Sequence, residues 1–106
     1  MDWAERNPGR CGVAWHSVAN ISYLAGSEGR AFIEAFARFV EVAPTASPAL
    51  DFALRLPMKD FEDALQVAAA DALGAQVIAT RNTKDYRDSP VRALLPGEVL
   101  RLAGDP

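Results

Sequence analysis

A chain of 106 residues that is 50% hydrophobic and 24% charged is long enough for one globular domain, residues 1–106, and too apolar for a disordered segment. Its net charge of −3 excludes a simple basic DNA-binding module, while leaving room for an enzyme that meets nucleic acid through bound cations, which reverse the local charge. A single cysteine, Cys11, and a single histidine, His16, exclude an internal disulfide and a Cys/His zinc site, and both counts suit a cytosolic protein.

The acidic opening Asp2-Trp3-Ala4-Glu5-Arg6 lacks the basic flank and apolar stretch of a signal peptide. No run nears the ~20 apolar residues of a membrane span. The expectation is a soluble, cytoplasmic protein. Residues 2–6 read as a short helix stopped by Asn7-Pro8-Gly9, and residues 11–15 as a short extended stretch. Ser17 is placed to cap a helix through Ile21, Tyr23 and Leu24 to Gly26, and Ser27 to cap a second in which Phe32, Ile33, Phe36 and Val40 recur at helical spacing. The phenylalanines Phe32, Phe36 and Phe39 are expected in the core or in a helix–helix seam. Residues 41–43 form a brief strand candidate, and residues 47–56 a helix ended by Pro57.

The clearest helix opens at Lys59-Asp60-Phe61-Glu62-Asp63. Phe61, Ala64, Leu65, Ala68 and Ala72 share one face, and Gly74 suits the left-handed residue that ends a helix. Residues 76–80, Gln-Val-Ile-Ala-Thr, then read as a strand buried on both sides, of the kind parallel sheets use. Residues 81–90 are a polar loop or short helix. Residues 91–95 are a last strand candidate, and Pro96 opens a terminal helix over residues 97–102. This alternation predicts an α/β domain, a three-layer α/β/α sandwich around a short parallel sheet. Only about three strands are visible where such a sheet ordinarily has four or more.

Three polar features carry chemistry. Asp60-x-x-Asp63 sets two carboxylates on neighbouring positions of one helix face. Thr80-Arg81-Asn82-Thr83-Lys84-Asp85-Tyr86 follows a buried strand, and ligands of open α/β sheets bind at strand C-terminal ends. Ser17-x-x-Asn20 is a polar pair at another helix start. Carboxylate and amide oxygens are the ligands of hard cations such as Mg²⁺ or Mn²⁺, ions that activate water and offset charge on a phosphoryl group.

The string Lys59-Asp60-Phe61-Glu62-Asp63-Ala64-Leu65-Gln66, the alanine-rich helix, Gly74, the Val-Ile strand, Thr80-Arg81-Asn82-x-x-Asp85-Tyr86 and Ser89-Pro90 resemble the C-terminal half of PIN-domain proteins. Leu95-Pro96-x-Glu98-Val99-Leu100 is similar to that family's ending. Trp15-His16-Ser17-Val18-Ala19-Asn20-Ile21 resembles an earlier helix, so the likeness runs over about residues 12–100. It implies a PIN-like α/β/α fold and a divalent-metal-dependent endoribonuclease, often the toxin of a toxin–antitoxin pair. Under it, Asp63, Asp85 and Asp60 become catalytic acids, and Asp63, Asn82, Asp85 and Asn20 metal ligands for Mg²⁺ or Mn²⁺. Asn82 and Asn20 stand where many members carry an acid; an amide lends a carbonyl oxygen but no charge. RNA and an antitoxin protein are the implied partners. The family's first strand, ending in a metal-binding aspartate, would stand ahead of Met1, so the expected fold is an N-terminally truncated one.

Each feature has a plainer reading beside the functional one. Asp60 suits a helix cap, and acids in a first turn gain about 0.3–1 kcal/mol from the helix dipole. Asn82 and Asp85 suit a turn that bonds its own backbone. Ser17 suits a cap. Arg81, Lys84 and Arg87 suit either RNA phosphates or ordinary solvation. Cys11 has no activating neighbour, and His16 suits a partly buried structural place. The competing function is a catalytically impaired PIN-like remnant that works through protein association, a homo-oligomer paired through an exposed sheet edge. No glycine-rich phosphate loop follows any strand, which sets a nucleotide-binding Rossmann module aside.

Overall fold

In the computed structural model, residues 2–104 are described, and they fall into two compact units that divide after Ala43. Helices and short parallel strands alternate along the chain, as in a small α/β domain. The strands pair as two parallel ladders, one in each unit, rather than as the one sheet expected from the alternation.

The first unit opens with α1 (Asp2–Arg6). Asn7 ends it by donating from its side chain to the Trp3 carbonyl at 2.8 Å, and Gly9 turns the chain at φ 83°. The Arg10 guanidinium sits 5.0 Å from the centre of the Trp3 ring, a cation–π contact that contributes about 0.5–1 kcal/mol at exposed sites. Strand β1 (Cys11–Val13) then pairs with β2 (Val40–Val42), Cys11 opposite Val40, and Ala43 extends the ladder by donating to the Val13 carbonyl at 2.9 Å. Val40 therefore belongs to a strand, not to the helical stripe that its spacing suggested.

Helix α2 (Trp15–Ala25) starts one turn earlier than the sequence signal implied. Ala14 holds the cap position with extended backbone, and Ser17 lies inside the first turn, its amide donating to the Ala14 carbonyl at 3.0 Å. Gly26 and a 3₁₀ turn lead into α3 (Gly29–Phe36). Gly29 is buried where the helices approach: a Cβ there would stand 2.6 Å from the Ser22 carbonyl oxygen, so this crossing requires the residue without a side chain.

The phenylalanines form a ladder along α3 and the turn after it. Phe32 stacks on Phe36 at 6.0 Å, and Phe36 meets Phe39 edge-on at 6.0 Å. They are not a sealed core: Phe32 keeps 46% of its surface exposed. The three rings line an open groove of ≈ 540 Å³ with Glu5 and Arg38 at its edge.

The second unit is built on an αα-hairpin. Helix α4 (Ser47–Arg55) opens with Pro48 in its first turn and packs against α5 (Phe61–Leu73). The seam is made of Ala53, Ala64 and Ala68, with Phe52, Leu56, Met58 and Leu65 flanking it. Small side chains on both helices let the backbones come close, and alanine carries no side-chain entropy to lose. Val67 is the one large side chain that is fully buried among the described residues.

Both ends of α5 are closed as the sequence indicated. The Asp60 carboxylate caps the first turn. At the other end Gly74 takes φ 69°, the Gly74 amide donates to Asp71 at 3.0 Å, and the Ala75 amide donates to Ala70 at 2.9 Å. That pair of bonds is a Schellman motif. Strand β3 (Val77–Ala79) pairs in parallel with β4 (Arg92–Leu94), Val77 opposite Arg92. Helix α6 (Pro96–Leu102) closes the unit, with the Glu98 carboxylate accepting from the Leu95 amide at 3.0 Å. Among the described residues no helix is long and apolar enough to cross a membrane.

Candidate active site

The acid-bearing part of the second unit is built from two short pieces of backbone, the first turn of α5 and the segment that leaves β3. In α5, Asp60 is the cap, and Glu62 and Asp63 complete the turn. Four amides at a helix start have no intrahelical acceptor. The Asp60 carboxylate takes one of them, accepting from the Asp63 amide at 3.2 Å. The capping reading of Asp60 is thus realised in the fold, and the same oxygen-rich end is where the dipole favours negative charge.

The segment after β3 is ordered by its own polar groups. The Thr80 amide donates to the Leu94 carbonyl at 2.9 Å, which prolongs the β3–β4 pairing by one residue. The Thr80 hydroxyl accepts from the Asn82 amide at 3.1 Å. Asn82 then stands before a 3₁₀ turn, Thr83–Tyr86, closed by the Asp85 amide donating to the Asn82 carbonyl at 3.0 Å. Beyond it, the Ser89 hydroxyl accepts from the Val91 amide at 3.0 Å and donates to the Val91 carbonyl, steering the chain into β4.

One contact joins the two pieces. The Tyr86 hydroxyl donates to Asp63 Oδ1 at 3.1 Å across 23 residues of sequence. Tyr86 is buried, while Asp63 is half-buried. Burial holds the Tyr86 phenol above its ordinary range, and the neighbouring Asp63 charge raises it further. The phenol therefore stays protonated and remains the donor. The Asp63 carboxyl is also raised, first by desolvation and then by the charges of Asp60, Asp85 and Glu62, against the lowering effect of the Tyr86 hydrogen bond.

The proposed site residues are thus distributed unevenly. Asp63 is the half-buried acid, and Asp60 and Asp85 are exposed acids whose charges reach it. Asn82 is exposed at the head of the 3₁₀ turn, and Arg81, Lys84 and Arg87 are exposed around the same loop. Asn20 lies in the first unit, exposed on α2. His16 is half-buried, and burial raises the Cys11 thiol above its usual value, with Arg10 opposing. Sequence reading placed Tyr86 in the segment after β3 but gave it no role. The signal available was an aromatic residue in a turn otherwise rich in charge: such a ring tends to be buried, and a buried phenol needs an acceptor.

Oxygen donors of this kind suit Mg²⁺ or Mn²⁺, and a cation near Asp63 would offset both the desolvation and the like charges that raise its carboxyl. Among the described residues, no three Asp, Glu, His or Cys side chains stand together as ligands of one ion. The fit is to a cation that keeps several waters and takes one or two carboxylates, as Mg²⁺ ordinarily does, and not to an all-protein cage.

The comparisons bear on the same segments. No curated protein and no solved structure matches the chain significantly. A family model described as PIN domain matches residues 1–84, taking in Asn20, Asp60, Asp63, Asn82 and Lys84 and stopping just before Asp85 and Tyr86. PIN domains form a superfamily of nuclease type that generally uses divalent metal; since the match spans well over half of the chain, the chain belongs to the PIN-domain family.

Proposed function

We propose that this chain is a divalent-metal-dependent endoribonuclease of PIN type. The observation that carries the reading is the half-buried Asp63 carboxyl, crowded by the charges of Asp60, Asp85 and Glu62, at the helix start of a PIN-family chain. Asp63 is the principal acid in this reading, with Asp85 and Asp60 beside it and the Asn82 amide as a further oxygen donor. A Mg²⁺ or Mn²⁺ ion bound there would supply an activated water and offset the charge that develops on a phosphoryl group. The chain's own residues have separate tasks: Asp63 and Asp85 hold negative charge toward the ion, and Asp60 fixes the first turn of α5. Arg81, Lys84 and Arg87, exposed on the adjoining loop, suit contacts to the RNA backbone, which position a nucleic acid without reading its sequence. A toxin role, with an antitoxin as protein partner, and a cytoplasmic setting belong to the same proposal.

The test is Mn²⁺ binding by calorimetry on the wild type and on Asp63→Asn, followed by cleavage of single-stranded and structured RNA. Binding lost in the variant, with cleavage lost alongside it, is the expected result. Equal Mn²⁺ affinity in both proteins overturns the assignment of Asp63.

A second reading has its own observation. Tyr23 and Leu24 on α2 keep 86% and 83% of their surfaces exposed, an apolar pair that suits burial by another chain. In that reading the protein is a catalytically impaired PIN-domain chain that acts by association, and a homo-oligomer is expected. Light scattering that gives a monomer at micromolar concentration sinks it.

A further inference from the structure

A carboxylate on a helix start is free to rotate about its own Cα–Cβ and Cβ–Cγ bonds unless something holds it. Asp63 is held at both ends. Its backbone amide is fixed by the Asp60 carboxylate at 3.2 Å, and one of its two side-chain oxygens, Oδ1, accepts from Tyr86 at 3.1 Å. The second oxygen, Oδ2, is the one left for a ligand. Tyr86 is itself held in place: it is buried, and it is the last residue of the 3₁₀ turn that carries Asp85. The same hydrogen bond therefore sets the distance between the turn bearing Asp85 and the turn bearing Asp63.

A phenylalanine would fill the ring's place without bringing in a hydroxyl that must find a partner. Burying a hydroxyl costs free energy unless it is bonded, and this one is bonded to the acid that the functional reading puts first. Groups that bond to a ligand residue from behind, without touching the ion, orient that residue and tune it.

We propose that Tyr86 is a positioning residue, whose hydroxyl locks the Asp63 carboxylate so that Oδ2 meets the divalent cation and Asp85 is held at a fixed separation. This rests on the reading of Asp63 as a ligand. Tyr86→Phe keeps the ring and removes only the hydroxyl, and loss of such an outer partner weakens metal binding by about 10–100-fold. Val67→Ala serves as the control, since it loosens the packing of the same helix without removing a group that is bonded to Asp63.

The experiment is Mn²⁺ titration by calorimetry, at a temperature where circular dichroism finds each protein folded, of the wild type, Tyr86→Phe, Val67→Ala and Asp63→Asn. The expected pattern is no binding in Asp63→Asn, about tenfold or weaker binding in Tyr86→Phe, and near wild-type binding in Val67→Ala. Wild-type affinity in Tyr86→Phe, with binding lost in Asp63→Asn, overturns the positioning role while leaving Asp63 as a ligand. An equal loss in Tyr86→Phe and Val67→Ala overturns it too, because the effect is then one of stability. A Tyr86→Phe chain with no cooperative unfolding transition has the same meaning. Binding that survives in Asp63→Asn, or is absent from the wild type, removes the ligand assignment itself.

Discussion

Asp60 stands at the junction of two explanations, and substitution separates them. In the fold its carboxylate accepts from the Asp63 amide at 3.2 Å, satisfying one of the orphan donors at the start of α5. Replacing an Asp cap by alanine costs about 1 kcal/mol, within a range of roughly 0.5–2. Loss of a favourable charge at the helix start adds a few tenths of a kcal/mol. Relief of the like charges of Glu62 and Asp63, within the same turn, offsets part of that. For a chain of this length the unfolding entropy is about 0.2 kcal/mol/K, so 1 kcal/mol lowers Tm by roughly 4–5 °C. Asp60→Asn keeps an oxygen acceptor and removes the charge, so it should leave Tm within about 1–2 °C of wild type. Thermal unfolding followed by circular dichroism, without divalent ions, checks the pair. The capping account is refuted if Asp60→Ala melts with the wild type, or if Asp60→Asn falls as far as Asp60→Ala. Repeating the melts with Mn²⁺ then reads the metal role alone: a ligand Asp60 gives Asp60→Asn a smaller metal-induced rise in Tm than the wild type.

Three further outcomes follow from the geometry. Gly29→Ala drives a Cβ to 2.6 Å from the Ser22 carbonyl oxygen, and overpacking of this kind costs about 1–3 kcal/mol; a urea midpoint equal to that of the wild type would contradict the close crossing of α2 and α3. Asp63 has a raised carboxyl in the fold, so its contribution to stability is whole below the unfolded value near 4 and is lost as pH rises through the folded value. Asp63→Asn removes that loss, and its stability relative to wild type should grow as pH rises above about 4 in chelator-treated samples; a flat difference contradicts the desolvation and like charge that raise the carboxyl. The Cys11 thiol, raised by burial, holds less thiolate at neutral pH than a free cysteine, so iodoacetamide should modify it more slowly in the folded protein than in urea.

Sequence signals were strongest where local chemistry decides structure. Asp60 and Gly74 marked the ends of α5 because a cap and a left-handed turn each need a particular residue, and Pro96 marked α6 for the same reason. Val40 misled because the 3.6-residue stripe of α3 runs on through a turn that the pattern does not register, and the strand pairing with Cys11 is a distant event. Ser17 misled because a serine is a good cap, yet Ala14 already had the extended backbone that the position needs. The phenylalanine ladder showed the right spacing, but spacing does not say whether anything covers the face. At the site, the acids were visible as acids. The bond between Tyr86 and Asp63 was not, since it spans 23 residues and depends on how the turn after β3 comes back to the helix start.

The alanine seam between α4 and α5 has a thermal consequence. Heat capacity rises on unfolding because apolar surface becomes wet, ordinarily by about 12–15 cal/mol/K per residue. Here the buried seam offers mostly methyl groups, while large apolar side chains such as Leu54, at 64% exposure, and Tyr23 already meet water in the native chain. Less new apolar surface remains to be wetted than in a core of large side chains. The stability curve of this protein should accordingly be shallow, changing little between refrigeration and body temperature, and its resistance to heat will come from a broad, low dome rather than a tall one.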